Sequence, residues 1–273
     1  MKIKLYTYKN VSFPGLLPRR VDVWLPPQYE QAENRRFPVL YMHDGQNLFR
    51  RNKFILSTWK IAENVTELSN NGIIPPIIVV GIWNTSNRLG DYLPQKPLAS
   101  PQAQMALKQF SEKFHFNIGE QVSDLYLKLI TEEIKPMIDQ TFRTLTPKDQ
   151  TGIMGSSMGG LISLYALMEY PDIFGMAGCI STHWPICGDY MVPYLEKVLP
   201  QPGQQRIYFD HGTRRLDRLY GPYQKKVDKL FTEKGLEFGK DWMSKIFPGD
   251  DHNEVSWSNR IDIPLKFLFS GKG

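Results

Sequence analysis

Ser157 stands between Gly155 and Gly159 in the segment Thr151-Gly-Ile-Met-Gly-Ser-Ser-Met-Gly-Gly160. The spacing Gly-x-Ser-x-Gly is that of a serine on a sharp strand-to-helix turn, with its hydroxyl standing at the carboxyl edge of a sheet. Glycines two residues to either side remove the side-chain bulk that such a turn excludes. The chemistry this arrangement serves is nucleophilic attack on a carbonyl. A serine hydroxyl is a weak nucleophile at neutral pH, however, and needs a base within hydrogen-bond reach. An ordinary turn serine has no such partners, so the rest of the chain must decide.

Five histidines are candidates for the base. His43 ends an apolar run, and His115 lies between Phe114 and Phe116 as a packing residue. His183 and His211 follow apolar segments and can face a pocket. His252 lies in Pro248-Gly-Asp-Asp-His-Asn-Glu254, after the last strand expected along the chain. The order Ser, then Asp or Glu, then His belongs to hydrolases with this serine turn, and it selects His252. The acid holds the imidazole tautomer and stabilises the imidazolium formed during attack. Asp210, at the end of an apolar run, and Asp217, in the loop beyond it, both fall in the required interval. Residue types alone leave that choice open.

Charge developing on the substrate oxygen calls for two N–H donors. One is expected from Met158, next to Ser157, and the other from the loop His43-Asp44-Gly45-Gln46-Asn47, where Gln46 is assigned the role. For the substrate, the candidates are His43, Trp184 and Arg88. A flat ring such as Trp184 covers the apolar faces of aromatics and sugars. An Arg88–Asp91 ion pair bracing the loop is the structural alternative for Arg88.

These residues need a sheet to bring them together. Alternation or short apolar runs predict strands over residues 2–8, 20–25, 37–42, 76–82, 153–154, 174–180, 206–210 and 242–247. Helical spacing predicts helices after Ser57, over 124–138 with a kink or early end at Pro136, and over 161–170, 222–235 and 261–269. Residues 83–116 carry many prolines and little periodicity, and read as a long functional loop. Strands alternating with helices imply an α/β fold, a mostly parallel central sheet with helices on both faces. The site then lies beyond the carboxyl ends of the strands.

Composition bounds the partners. The chain has 273 residues, 41% of them hydrophobic, enough for a large core in one domain spanning 1–273. A net charge of +5 comes with scattered basic pairs, Arg19-Arg20, Arg35-Arg36, Arg50-Arg51 and Arg214-Arg215. Pairs at separate turns make a solvated surface and not a nucleic-acid footprint. No apolar run approaches 18 residues and the amino terminus lacks the pattern of a signal peptide, so no membrane partner is expected and the cytoplasm is the default location. Cys179 and Cys187 make no disulfide framework, and no Cys/His spacing calls for a metal. No cofactor is expected, and the sequence sets no oligomeric state.

Four segments together resemble the putative esterase family of α/β-hydrolases, which includes esterase D-like, feruloyl, acetyl xylan and enterochelin esterases and mycolyltransferases. They are Leu40-Tyr-Met-His-Asp-Gly-Gln-Asn-Leu-Phe49; Gly155-Ser-Ser-Met-Gly-Gly-Leu161 with Tyr170-Pro-Asp-Ile-Phe174; Tyr208-Phe-Asp-His-Gly-Thr213; and His252-Asn-Glu with Trp257. The resemblance covers most of the chain from about residue 37 onward. It implies an α/β-hydrolase fold, Ser157 as nucleophile, His252 as base, and Met158 and Gln46 as oxyanion donors. The family places its acid a few residues after Gly-Thr, which favours Asp217 over Asp210. Here Arg214-Arg215 stands where related chains often carry an acidic residue. The expected reaction is two-step hydrolysis of a small or carbohydrate-linked ester through an acyl-enzyme. The alternatives are an acyltransferase with the same triad and a catalytically silent binding module.

Overall fold

A computed structural model describes residues 4–49 and 57–271. Residues 2–3 of the first expected strand and the Arg50-Arg51 pair lie outside the described residues. The apolar runs become strands: β1 (Leu5–Val11), β2 (Arg19–Trp24), β3 (Val39–His43), β4 (Ile78–Ile82), β5 (Thr151–Ser156), β6 (Met176–Ile180), β7 (Arg206–Gly212) and β8 (Trp242–Phe247). They form one sheet in the order β1-β2-β4-β3-β5-β6-β7-β8. β2 runs antiparallel to both β1 and β4, and the remaining pairs are parallel.

Side chains of a strand alternate between faces, so a strand covered on both sides feeds two cores. In β3, Val39 and Tyr41 join one buried cluster while Leu40 and Met42 join the other. The second cluster lies under the helices Ile61–Asn70 and Asp262–Phe269. The first takes in the helices Pro101–Phe114, Met158–Glu169, Met191–Val198 and Gly221–Glu233. Every residue from Met158 to Met168 is buried, as befits a helix apolar on all sides.

Four local readings change. Residues 83–116 are not a structureless loop: they hold the helices Arg88–Tyr92 and Pro101–Phe114. The Ser100 hydroxyl accepts the Ala103 N–H at 3.1 Å and Pro101 takes the first helical position, a strong start signal. His115 ends that helix in a left-handed conformation, φ 55°, and is exposed instead of packed. Pro136 does not end its helix. Because proline has no N–H to donate, the turn before it widens into a π-helical segment, Leu129–Ile134, and helix resumes over Lys135–Thr141. The helix expected after Ser57 starts at Ile61, behind Lys60 at φ 50°.

Parallel pairing sends the carboxyl ends of β3, β5, β6, β7 and β8 to one edge. Met42 pairs with Met154, Ser156 with Ile180, Ile180 with Asp210 and His211 with Ile246. The residues singled out for chemistry follow these ends.

Candidate active site

Ser157 sits between β5 and the helix Met158–Glu169 with φ 59° and ψ −121°. Such a backbone is strained for a non-glycine residue and survives where its surroundings over-determine it. The surroundings here are tight. The Ser157 N–H donates to the Ile180 carbonyl at 2.9 Å, and a Cβ on Gly155 would lie 2.8 Å from the Gly159 carbonyl carbon. The Tyr220 hydroxyl lies 2.8 Å from His183 Nδ1. Burial first, and the nearby Asp217 charge next, push the Tyr220 phenol up, so it is neutral. The edge of its ring also meets His252, with centroids 5.8 Å apart.

Asp217 opens a short turn after β7, and its Oδ1 lies 2.5 Å from His252 Nδ1. Its Oδ2 accepts the Gly212 N–H and the Ser181 hydroxyl, both at 2.7 Å. Burial alone would raise the Asp217 pKa. The bonds from His252, Ser181 and Gly212 outweigh that and hold the carboxyl below its ordinary value. Asp210 has a different partner. Its carboxylate takes Arg260 Nε at 3.1 Å and Nη2 at 3.0 Å, in a fork deep inside the protein. The two candidates for the acid are thus separated by geometry: Asp217 meets His252, and Asp210 meets Arg260.

The loop after β3 closes against the start of the serine helix. A Cβ on Gly45 would come within 2.6 Å of the Gly81 backbone, and one on Gly159 would lie 3.4 Å from His43 Cβ. Gly45–Asn47 is a 3₁₀ turn whose first backbone bond runs from the Asn47 N–H to the Asp44 carbonyl. The Gln46 amide therefore belongs to the opening of the turn, as the Met158 amide belongs to the first turn of its helix, where N–H groups have no partner inside the helix. Asp44, at φ 54°, anchors this loop by accepting Arg88 Nε at 2.8 Å and Nη2 at 2.7 Å, with Asn84 Nδ2 at 2.6 Å. Burial would raise its pKa, but Arg88 and Asn84 bring it below the ordinary value.

Ser157 and Met158 open into a cavity of about 370 Å³. Its wall is formed by Phe110, Phe114 and Phe116, by Pro185 and Ile186, and by Leu89, Leu216 and Leu219, with Arg88 and His183 as polar members. Among the described residues no group of three or more His, Cys, Asp or Glu side chains is arranged to hold a metal, and no helix is long and apolar enough to cross a membrane.

Residues 17–258 match the family model described as Putative esterase. The chain belongs to the putative esterase family. It is a carboxylic ester hydrolase. A Bacillus subtilis protein, YbbA, described as uncharacterised, is 28% identical over 265 residues, 92% of each chain. A ferri-bacillibactin esterase of the same organism, BesA, is 27% identical over 150 residues, 54% of this chain and 49% of that one. An IroE-like serine hydrolase from Shewanella oneidensis superposes with a TM-score of 0.73 at 23% identity, over 97% of this chain and 80% of that one. That likeness shows the α/β-hydrolase fold.

The three substrate candidates of this esterase end up in different places. Trp184 is in the core and not in the cavity wall: it packs on Phe209 with centroids 5.8 Å apart and donates Nε1 to Gln224. The short turn Trp184–Ile186 carries its neighbours outward instead, and His183, Pro185 and Ile186 line the cavity. His43 is also buried away from the cavity, its Nδ1 2.7 Å from the Tyr126 hydroxyl. Burial, helped by the charges of Arg88 and Arg19, lowers its pKa to about 3, so it is a neutral support under the loop. Arg88 does reach the wall, but its guanidinium is held by Asp44; the Arg88–Asp91 pair does not form, and Asp91 instead meets Arg19 at 3.3 Å. Sequence reasoning missed the aromatic wall and Tyr220. The start signal Ser100-Pro101 and the helical spacing of Phe110 and Phe114 would have pointed to the former.

Proposed function

We propose that Ser157, His252 and Asp217 form the catalytic triad of this esterase, with the Met158 and Gln46 amides as oxyanion donors. The observation that carries the reading is the 2.5 Å contact of Asp217 Oδ1 with His252 Nδ1, beside a serine held at φ 59°. That contact puts the proton of His252 on Nδ1 and leaves Nε2 as the base. His252 Nε2 takes the Ser157 proton as Oγ attacks the ester carbonyl, and the two amides meet the negative oxygen. The imidazolium returns its proton to the departing alcohol, leaving an acyl-enzyme. Water, deprotonated by His252, then releases the acid and restores Ser157.

The substrate is a small or carbohydrate-linked ester. An apolar cavity of about 370 Å³ with three phenylalanines favours an apolar or aromatic acyl group. BesA, named as a ferri-bacillibactin esterase, adds siderophore esters to the substrates worth assaying. We also infer that the chain works as one α/β-hydrolase domain, because a single sheet draws strands from Leu5 to Phe247. A fluorophosphonate probe followed by peptide mass analysis tests the triad. Labelling at Ser157, abolished in Ser157→Ala and slowed in His252→Ala, is expected; equal labelling of wild type and Ser157→Ala overturns it.

A further inference from the structure

Ser181 follows β6, is fully buried, and has φ 42°. Glycine adopts that left-handed backbone without the steric cost a serine bears, so the side chain at this position needs a reason. Its hydroxyl oxygen has three neighbours: Trp257 Nε1 at 3.0 Å, Arg260 Nη2 at 3.0 Å and Asp217 Oδ2 at 2.7 Å. Indole and guanidinium nitrogens only donate, and a hydroxyl has two lone pairs and one proton. Trp257 and Arg260 therefore fill both lone pairs, and the single proton goes to Asp217.

The same hydroxyl is where three loops meet. Asp217 comes from the loop after β7, and Trp257 and Arg260 come from the segment that follows β8 and carries His252. Arg260 gives its other donors to Asp210 and to Asp250 Oδ2 at 2.7 Å, so its charge reaches Asp217 through the Ser181 hydroxyl. A donor whose oxygen already accepts two bonds, one from a cation, is polarised towards the carboxylate. With Oδ2 held by Ser181 and Gly212, Oδ1 is left facing His252.

We propose that Ser181 is a positioning residue for ester hydrolysis: its one proton fixes the Asp217 carboxylate so that Oδ1 bears on His252. The inference rests on the triad reading of Asp217. The competing role is structural, in which Ser181 does no more than satisfy Trp257 and Arg260.

A double-mutant cycle separates the two. Ser181→Ala should lower kcat by about tenfold to a hundredfold, the effect of a lost bond to a charged group, with KM nearly unchanged. In an Asp217→Asn background the same substitution should change kcat by less than about twofold, because it acts through the missing carboxylate. Ser181→Gly accepts φ 42° without strain and must show the same kcat loss, which protects the test if the alanine variant folds poorly. The downfield proton resonance of His252 Nδ1–H should move upfield in both variants. A wild-type kcat in Ser181→Gly, or an equal loss in the Asp217→Asn background, overturns the proposal. An Asp217→Asn enzyme with unchanged kcat would instead sink the triad reading, so the two failures are told apart.

Discussion

The two walls beside Ser157 are built by different forces. Behind His252, Asp217, Ser181, Arg260 and Asp210 are tied by hydrogen bonds of 2.5 to 3.1 Å, and each bond has a direction. In front, the cavity wall is mostly aromatic and aliphatic, with shape as its main determinant. Directional bonds hold a reacting group to within fractions of an ångström, whereas apolar contacts select by volume. Changes behind His252 should therefore appear in kcat, and changes in the cavity in KM.

The largest expected effect lies behind His252 and concerns its two buried aspartates. Asp217→Asn should lower kcat by about 10⁴-fold with little change in stability, because the amide no longer anchors the correct imidazole tautomer. Asp210→Asn should do the reverse. It breaks the buried fork to Arg260, whose side chain is only 3% exposed, and should cost about 3 kcal/mol of stability. The kcat of the folded fraction should stay within about tenfold of wild type, as for the loss of a neighbouring support. Urea titration and turnover on the same samples check both. If Asp210→Asn is the variant that loses turnover, the division of labour between the two carboxylates is wrong.

The next effect tests the front wall. Phe110 contacts Phe114, Phe116 and His183 with centroid separations of 4.7, 5.6 and 6.4 Å, and so occupies the centre of the aromatic wall. Phe110→Ala should raise KM for an aryl ester by about tenfold, the order expected for losing the contact of one half-buried ring with the substrate, and leave kcat unchanged. Initial rates across substrate concentrations measure both parameters. A fall in kcat at constant KM would mean that the ring positions the chemistry, and the contrast between the walls would dissolve.

The contrast also explains what was legible in the chain. Strand positions, the serine turn and the candidacy of His252 follow from residue types that have few interchangeable uses: Gly155 and Gly159, a chain order, a loop histidine. Asp217 and Asp210 are chemically identical, and only the partner of each tells them apart, which is a long-range fact. Arg260 lies 50 residues beyond Asp210 and carries no local mark of its role. The aromatic wall was obscured for a different reason. Prolines at 94, 97 and 101 mask the helix Pro101–Phe114, which buries only Ala103 and Leu107 and so shows a weak apolar stripe. Trp184 and His183 are adjacent in sequence, and a short turn sends one inward and the other to the cavity.

His183 lies where the two walls join, and its protonation gives the smallest effect at neutral pH. Burial first, and the neighbouring His252 and Arg88 next, lower its pKa to about 4, against about 6.5 in an unfolded chain. Between those values the unfolded chain holds a proton that the folded protein does not. Its contribution to stability is therefore complete above about pH 6.5, falls as the pH drops through the window, and levels off below about 4. Removing this group in His183→Gln should make stability less steep in pH, by about 1 kcal/mol per pH unit between pH 6 and 5. His43 titrates in both proteins and cancels in the comparison. Urea titrations of the two proteins at pH 7, 6 and 5 measure the difference in slope. Parallel slopes would mean that His183 takes up its proton inside the folded cavity. The front wall would then carry a charge near Ser157, and its selection by shape alone would fail.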